Sequence, residues 1–174
     1  MKAIRMHTVG GPDVLQVDEV DTPRPGADQV LIKVEAAAVA YGDIMKRRGD
    51  FGHDLPLPSG LGLAVAGTVS ALGPDTAATA PGTRVLAWVE HGYAEYAVAP
   101  SGATFPLPDG VDSRTAAVLP VQGLTAYQAL TDAGFGAADG EPAPIAQCLP
   151  LGSAADAHTA IGERRTIGAT VLLP

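Results

Sequence analysis

The amino-acid sequence predicts a mainly β fold, arranged as a closed or partly closed barrel. Short runs with strand character recur about every 8 to 12 residues, a spacing typical of barrels and sandwiches. In one of them Val30, Ile32 and Val34 recur at the period of two that marks a strand with one buried face. The chain also carries 21 glycines and 15 prolines, which favour short strands and turns over long helices.

The individual elements follow from local patterns. A few helices are expected at the periphery of the barrel. Asp112 or Ser113 is a suitable N-cap for the helix that begins at Ser113. The predicted strands are Met1–His7, Leu15–Glu19, Gln29–Ala37, Leu63–Leu72, Arg84–Val89, Gly92–Val98 and Thr170–Leu173. The predicted helices are Tyr41–Arg48, Ser113–Leu119, Thr125–Ala133 and Ser153–Glu163.

Composition and charge limit the classes of function. A formal net charge of −8 argues against a nucleic-acid partner, because phosphate binding needs clustered Lys and Arg. The one cysteine, Cys148, cannot form an intramolecular disulfide and is expected to be inert. We find neither a signal peptide nor an apolar run long enough to span a membrane. These features predict a cytoplasmic protein.

The chain reads as a single domain over residues 1–174. An N-terminal part, 1–133, precedes a connector rich in Gly, Ala and Pro over 134–150, and residues 151–174 form a helix and strand that return to the barrel. The stretch Gly134–Gly140 is similar to a dinucleotide-binding fingerprint, but its spacing is wrong by one and Pro142 and Pro144 follow it. We interpret this stretch as linker.

Short motifs along nearly the whole chain form one ordered pattern. They are Met1–Ile4, Gly10–Leu15, Pro25–Val34, Asp43 with Arg47 and Gly49, Gly67–Gly73, Pro81–Val85, Gly92–Tyr96, Leu119–Ala126, Pro150–His158 and Arg165–Pro174. In this order they resemble the medium-chain dehydrogenase/reductase superfamily, specifically its zinc-free quinone oxidoreductase branch. The resemblance implies a GroES-like irregular β-barrel, which in that family is interrupted by a Rossmann domain that binds the dinucleotide.

A Rossmann domain needs about 100 residues or more, and only a few residues separate the segments that resemble its two flanks. We therefore expect no Rossmann domain and no bound cofactor. A metal is not expected either, because Ala40 or Tyr41 stands where zinc-dependent relatives carry a Cys ligand, and Ala64 stands at their Glu position if Gly62 aligns with the family's Gly. Zinc-free relatives usually have Asn at the position of Ala40 and Tyr at that of Phe51, so two polar groups of the cleft are missing.

The candidate catalytic residues are Asp43, Tyr41 and His53. Tyr41 could donate to a substrate carbonyl or simply fill the barrel mouth, and Asp43 could act as an acid or base or only hydrogen-bond its own turn. His53 could move a proton near neutral pH, or be a solvated loop residue. The candidate substrate-binding residues are Phe51, His91, Tyr93, Gln122, Thr125 and Tyr127. His158 lies on the apolar face of its helix and is expected in the core.

Three functions remain open. The first is a cofactor-independent enzyme, such as an isomerase, cyclase or lyase that uses acid–base chemistry on an enone, quinone or polyketide-like substrate. The second is a non-catalytic binding protein that uses the face left by the missing domain. The third is a reductase that uses NADPH held by a partner chain, or an artificial deletion. A small-molecule substrate and a homodimer through the former cofactor-domain face are the expected partners.

Overall fold

The computed structural model describes residues 1–52, 55–76, 79–132 and 145–174. Within them the chain forms ten strands and four α-helices, so the predicted mainly β fold is confirmed. The strands are β1 (Lys2–Met6), β2 (Leu15–Glu19), β3 (Gln29–Val39), β4 (Ser59–Gly60), β5 (Ala64–Leu72), β6 (Arg84–Trp88), β7 (Tyr96–Pro100), β8 (Thr104–Pro106), β9 (Ile145–Pro150) and β10 (Ala169–Leu173). The helices are α1 (Tyr41–Arg48), α2 (Ser113–Val118), α3 (Leu124–Asp132) and α4 (Ala154–Gly162).

The eleven-residue strand β3 organises the larger of two sheets. One edge of β3 pairs with β5, while its other edge pairs first with β7 and then with β10. The full order of this sheet is β8-β6-β5-β3-β10-β9, with β7 beside β3, and β2-β1-β4 forms a small second sheet. A bridge between Ala3 and Ala94 connects the two sheets, so the strands curve around a common interior.

The C-terminal strand returns to the N-terminal half of the chain, as the sequence predicts. Strand β10 runs antiparallel to β3, with Val171 opposite Ala38, and Val171 and Leu172 are fully buried. Residues Ile145–Pro150, which the sequence assigned to the connector, instead form β9 parallel to β10. The difference arises because pairing with β10 satisfies the backbone groups of a segment that shows little periodicity of its own.

Two apolar clusters lie on opposite faces of the large sheet. The barrel interior holds Val, Ile and Leu side chains of β3, β5 and β6 together with Ile4, Met6 and Leu151. The outer face carries small residues, including Ala36, Ala38, Ala64 and Ala66, against which Ala116 and Ala117 of α2 pack. Asp112 caps α2 through hydrogen bonds from the backbone N–H groups of Arg114 and Thr115, as predicted.

Candidate functional site

Asp43 lies in the core, near the start of α1. One carboxylate oxygen accepts the backbone N–H of Ala40 at 3.0 Å, and the other accepts the N–H of Gly62 at 2.9 Å. The hydroxyl of Tyr93 donates to the first oxygen at 3.1 Å. Asp43 is only 1% exposed, so its carboxylate joins α1 to the loop before β5 and to the loop before β7.

His158 of α4 completes this buried group, as its position on an apolar helix face predicts. Its Nε2 lies 3.4 Å from the Tyr93 hydroxyl, and the two rings meet edge to face with centroids 5.9 Å apart. Because the Tyr93 proton is directed at Asp43, this contact is a hydrogen bond when Nε2 of His158 carries the imidazole proton. We call Asp43, Tyr93 and His158 the core triad.

Burial decides the protonation states of the core triad. It raises the pKa of Asp43, against the hydrogen bonds from Ala40, Gly62 and Tyr93 that lower it. Burial and the neighbouring Asp43 carboxylate raise the pKa of Tyr93 well above its ordinary value. Burial, helped by the positive charge of Arg47, lowers the pKa of His158 to about 3. At neutral pH the histidine and tyrosine are therefore neutral.

The structure does not bring the three candidate catalytic residues together. Tyr41 is 58% exposed at the start of α1, whereas Asp43 is enclosed two residues later. His53 lies outside the described residues. Asp43 makes the hydrogen bond to its own turn that the sequence allowed as its alternative role, together with two longer-range bonds that no local pattern indicates. The candidate substrate-binding residue Tyr93 is likewise in the core, at 1% exposure.

A shallow hollow of about 470 Å³ lies between the end of β6 and α3. Its apolar wall consists of Trp88, Pro120 and Leu124, and both Trp88 and Leu124 have exposed side chains. The candidate residue Thr125 lines it, together with Gln128, Ala129 and Asp132. We call this surface the Trp88 hollow.

A π-helical turn over Leu119–Gly123 sets the position of the Trp88 hollow. Pro120 has no backbone N–H, and the widened turn joins α2 to α3 without a break in the helical path. Within this turn the side-chain amide of Gln122 donates to the Val39 carbonyl at 3.2 Å. The candidate residue Gln122 is therefore tied to the end of β3 through its amide nitrogen.

A larger cleft of about 730 Å³ lies on the other side of Trp88, between β1, β7 and the loop 89–95. The candidate residues His91 and Tyr93 both line it, and so does Arg5. We call this surface the β1–β7 cleft. The remaining candidates Tyr41, Phe51 and Tyr127 are exposed and are not part of either wall.

Trp88 is not among the binding residues predicted from the sequence, although the pattern of its strand indicates that it is exposed. It lies at the end of β6, where Val85 and Ala87 are buried and Leu86 and Trp88 point the other way. The period-two pattern of that strand therefore places a tryptophan on the outer face. An exposed tryptophan between two depressions is a natural feature of a binding surface.

Residues 1–52, 55–76, 79–132 and 145–174 contain no group of three or more His, Cys, Asp or Glu side chains placed to hold a metal ion. In the same part of the chain, none of the helices combines the length and apolar character needed to cross a bilayer.

Comparison with known proteins identifies relatives of this fold. The family model of the alcohol dehydrogenase GroES-like domain matches residues 26–109. A quinone oxidoreductase of Lama guanicoe is 41% identical over 133 residues, which are 75% of this chain and 40% of the relative. A trans-enoyl reductase of Aspergillus flavipes is 34% identical over 176 residues, covering 93% of this chain and 50% of that protein. The solved quinone oxidoreductase of Coxiella burnetii aligns with a TM-score of 0.71 and 32% identity, over 86% of this chain and 48% of that one.

These matches and the strand order define a GroES-like β-barrel domain. The chain belongs to the medium-chain dehydrogenase/reductase superfamily and is quinone-oxidoreductase-like. It spans 40% to 50% of the length of these two curated relatives. Only residues 133–144 lie between α3 and β9, and a dozen residues are far too few for a Rossmann domain of about 100. The family's nucleotide-binding domain is therefore absent from this interval.

Proposed function

We propose that this chain binds a planar conjugated carbonyl compound, of the quinone or enone kind, in the Trp88 hollow. The observation that carries the proposal is the hollow itself, which an exposed tryptophan, an exposed leucine and Thr125 line together. Aromatic and apolar walls with a few polar groups are typical of small-molecule sites. The relatives support the ligand class, since one is a quinone oxidoreductase and another a trans-enoyl reductase.

Each wall of the hollow suits one part of such a ligand. The indole of Trp88 offers a flat surface for stacking a conjugated ring or enone, and Leu124 adds apolar contact on α3. The hydroxyl of Thr125 is a hydrogen-bond donor that fits a carbonyl oxygen. The amide nitrogen of Gln128 already donates to Asp132 at 2.8 Å, so we assign the orienting hydrogen bond to Thr125.

The proposed role is binding rather than acid–base turnover. A general base must reach the proton that it removes, and Asp43 is enclosed by three hydrogen bonds behind the protein surface. Tyr41 keeps an exposed hydroxyl, but it is not part of the hollow. The cofactor-independent isomerase, cyclase or lyase thus lacks the base that Asp43 was expected to provide.

The start of α3, beside the Trp88 hollow, does not offer the site that a nicotinamide dinucleotide usually needs. Such a cofactor places its pyrophosphate on the free N–H groups of a helix N-terminus. The N–H of Leu124, at the start of α3, is instead used by the carbonyls of Leu119 and Val121 in the preceding turn. As a reductase this domain would need a hydride donor held by another chain. The Trp88 hollow would then hold the quinone or enone that accepts the hydride.

The sole tryptophan makes the proposal directly testable by fluorescence. Tetramethyl-1,4-benzoquinone is a suitable probe, because its ring carbons are fully substituted and cannot add to the Cys148 thiol. We expect saturable quenching of Trp88 that exceeds the collisional quenching of free N-acetyltryptophanamide. Leu124→Ser and Thr125→Val should each weaken binding about tenfold, from lost apolar contact and a lost hydrogen bond.

The matched control for Leu124→Ser is Ile167→Ser. Isoleucine is an isomer of leucine, and the side chain of Ile167 is 91% exposed elsewhere on the molecule. Its quinone affinity should equal that of the unaltered chain. Quenching no greater than that of the free tryptophan amide would refute the proposal. Addition of NADPH gives a second outcome: consumption of NADPH by the isolated chain would show a self-contained reductase instead.

A further inference from the structure

The β1–β7 cleft is separate from the Trp88 hollow in position and in shape. Along β1 it extends from Arg5, which pairs with Gly60, past Ala3 to the first residue of the chain. Its opposite side follows β7 over Tyr96, Ala97, Val98 and Pro100. Five residues of strand span roughly 16 Å, so the cleft is elongated and fits an extended ligand better than a single ring.

The walls and the two ends of the cleft differ in character. Between the ends the lining is mostly apolar, and a volume of about 730 Å³ lies within the range of small-molecule sites. Arg5, Glu90 and His91 lie at the end near Gly60, while Asp21 and Met1, whose ammonium group donates to the Val20 carbonyl, line the cleft elsewhere. The residues of the apolar stretch are Ile4, Val20, Pro23, Val89, Ala94, Ala97, Val98, Pro100 and Ala103.

The imidazole of His91 is seated against the backbone of Gly60. A Cβ atom at position 60 would lie 2.6 Å from Nδ1 of His91, so the ring occupies space that any other residue would fill. Partial burial of the ring against Gly60, together with the positive charges of Lys46 and Arg5, lowers the pKa of His91, against the opposing effect of Glu90, although more than half of the side chain remains accessible. A neutral imidazole at this place offers one N–H donor to a ligand.

Arg5 brings a positive charge to the same end. One terminal nitrogen of its guanidinium donates to the Pro58 carbonyl at 2.8 Å, and the other lies 3.8 Å from the carboxylate of Asp18. The same carboxylate also lies 2.9 Å from Nε2 of His7, so Arg5 and His7 share it. The guanidinium has five N–H donors, and these two contacts hold it in place without using all of them.

We propose that the β1–β7 cleft binds an aliphatic carboxylic acid of medium chain length. Its carboxylate would lie between Arg5 and His91, and its chain would follow the apolar wall along β7. The pairing of carboxylate with guanidinium provides a charge-assisted hydrogen bond, while the elongated apolar wall accounts for the chain. This site does not depend on the quinone proposal, since the two depressions share only Trp88.

The test compares two ligands with the same chain, sodium decanoate and 1-decanol, by isothermal titration calorimetry near neutral pH. We expect decanoate to bind the unaltered chain at least about tenfold more tightly than the alcohol, because only the carboxylate engages Arg5 and His91. Arg5→Gln should remove this preference and leave the affinity for 1-decanol within about twofold.

Arg114→Gln is the matched control, because it makes the same charge change at an exposed position of α2 and should keep the preference. Should Arg5→Gln fail to fold, His91→Gln carries the test, since the side chain of His91 is exposed. Equal binding of acid and alcohol, or an unchanged preference in the folded Arg5 and His91 variants, overturns the proposal. Leu124→Ser should not affect decanoate, and Arg5→Gln should not affect the quinone, so the two sites can fail independently.

Discussion

The core triad and the Trp88 hollow use neighbouring parts of the chain but have opposite physical character. Tyr93 follows Trp88 by five residues, yet Tyr93 is 1% exposed and Trp88 is 44% exposed. In the triad, polar groups satisfy one another inside the protein. Around the hollow, apolar groups face the surface. The comparison indicates that the polar residues most suggestive of catalysis are structural, whereas the proposed binding site lies on an apolar surface.

The energetic consequences of the two regions should therefore differ. A buried carboxylate that accepts several hydrogen bonds cannot be removed without leaving buried donors unsatisfied. An exposed apolar side chain has little effect on folding, because it is in contact with water in both states. Substitutions in the triad should change the stability of the protein, and substitutions in the hollow should change its binding.

The largest expected effect is that of Asp43→Ala. The change leaves the N–H groups of Ala40 and Gly62 and the Tyr93 hydroxyl without their acceptor, and should lower the free energy of unfolding by about 3 to 5 kcal/mol. Urea unfolding followed by circular dichroism measures it. Asp50→Ala, an exposed carboxylate just beyond α1, should cost less than about 0.5 kcal/mol. Equal, small costs for both variants would contradict the structural role of Asp43.

An intermediate effect is expected from acid, through His158. Its pKa is 6.5 when unfolded and about 3 in the core, so its contribution to stability is present above about pH 6.5 and is lost as the pH falls. Between about pH 7 and about pH 5 this loss should be on the order of 2 kcal/mol. The raised pKa of Asp43 acts in the opposite sense, since its contribution is lost as the pH rises through the folded pKa.

His158→Gln isolates the histidine within this pH range. The variant cannot take up the proton, so its unfolding free energy should change less with acid than that of the unaltered chain. The control is His7→Gln, which removes an exposed histidine that directly follows β1 and contacts Asp18. This variant should keep the original change of unfolding free energy with pH. A slope that is the same in the His158 variant would show that other groups cause the acid sensitivity.

The smallest effect on stability is expected for the exposed side chains of α3. Leu124→Ser and Tyr127→Ser alter side chains that are 59% and 55% exposed, and each should change the unfolding free energy by less than about 0.5 kcal/mol. A homodimer through the former cofactor-domain face remains a prediction. Sedimentation of the same variants tests it. Loss of stability on the scale of Asp43→Ala would mean that this face is covered in the folded protein.

Much of the fold could be predicted because its signals are local. The alternation of Val30, Ile32 and Val34 marks β3, and all three side chains are buried. Asp112 is a recognisable helix cap, and the apolar residues Val171 and Leu172 indicated a strand that needed burial. Strand β9 could not be recognised in the same way, because Ile145–Pro150 becomes a strand through its pairing with β10.

The candidate site was predicted less well, since a residue's type does not specify which way its side chain faces. Thr125 does line the Trp88 hollow, and His91 lines the β1–β7 cleft. Asp43, however, is a candidate catalytic residue in the sequence, and its enclosure depends on Gly62 and Tyr93, which are 19 and 50 residues away. His53 lies outside the described residues, and its role remains a prediction.

The mainly β class of this chain, its family resemblance and the return of its C-terminal strand can all be inferred from the amino-acid sequence. They follow from period-two burial, turn residues and ordered motifs, which act over a few positions. The burial of Asp43, Tyr93 and His158 in one group, and the position of Trp88 between two depressions, become visible in the folded chain alone. The physical reason is that burial and hydrogen bonding between distant segments exist only once the strands are paired, so the chemistry of each side chain depends on the contacts that folding provides.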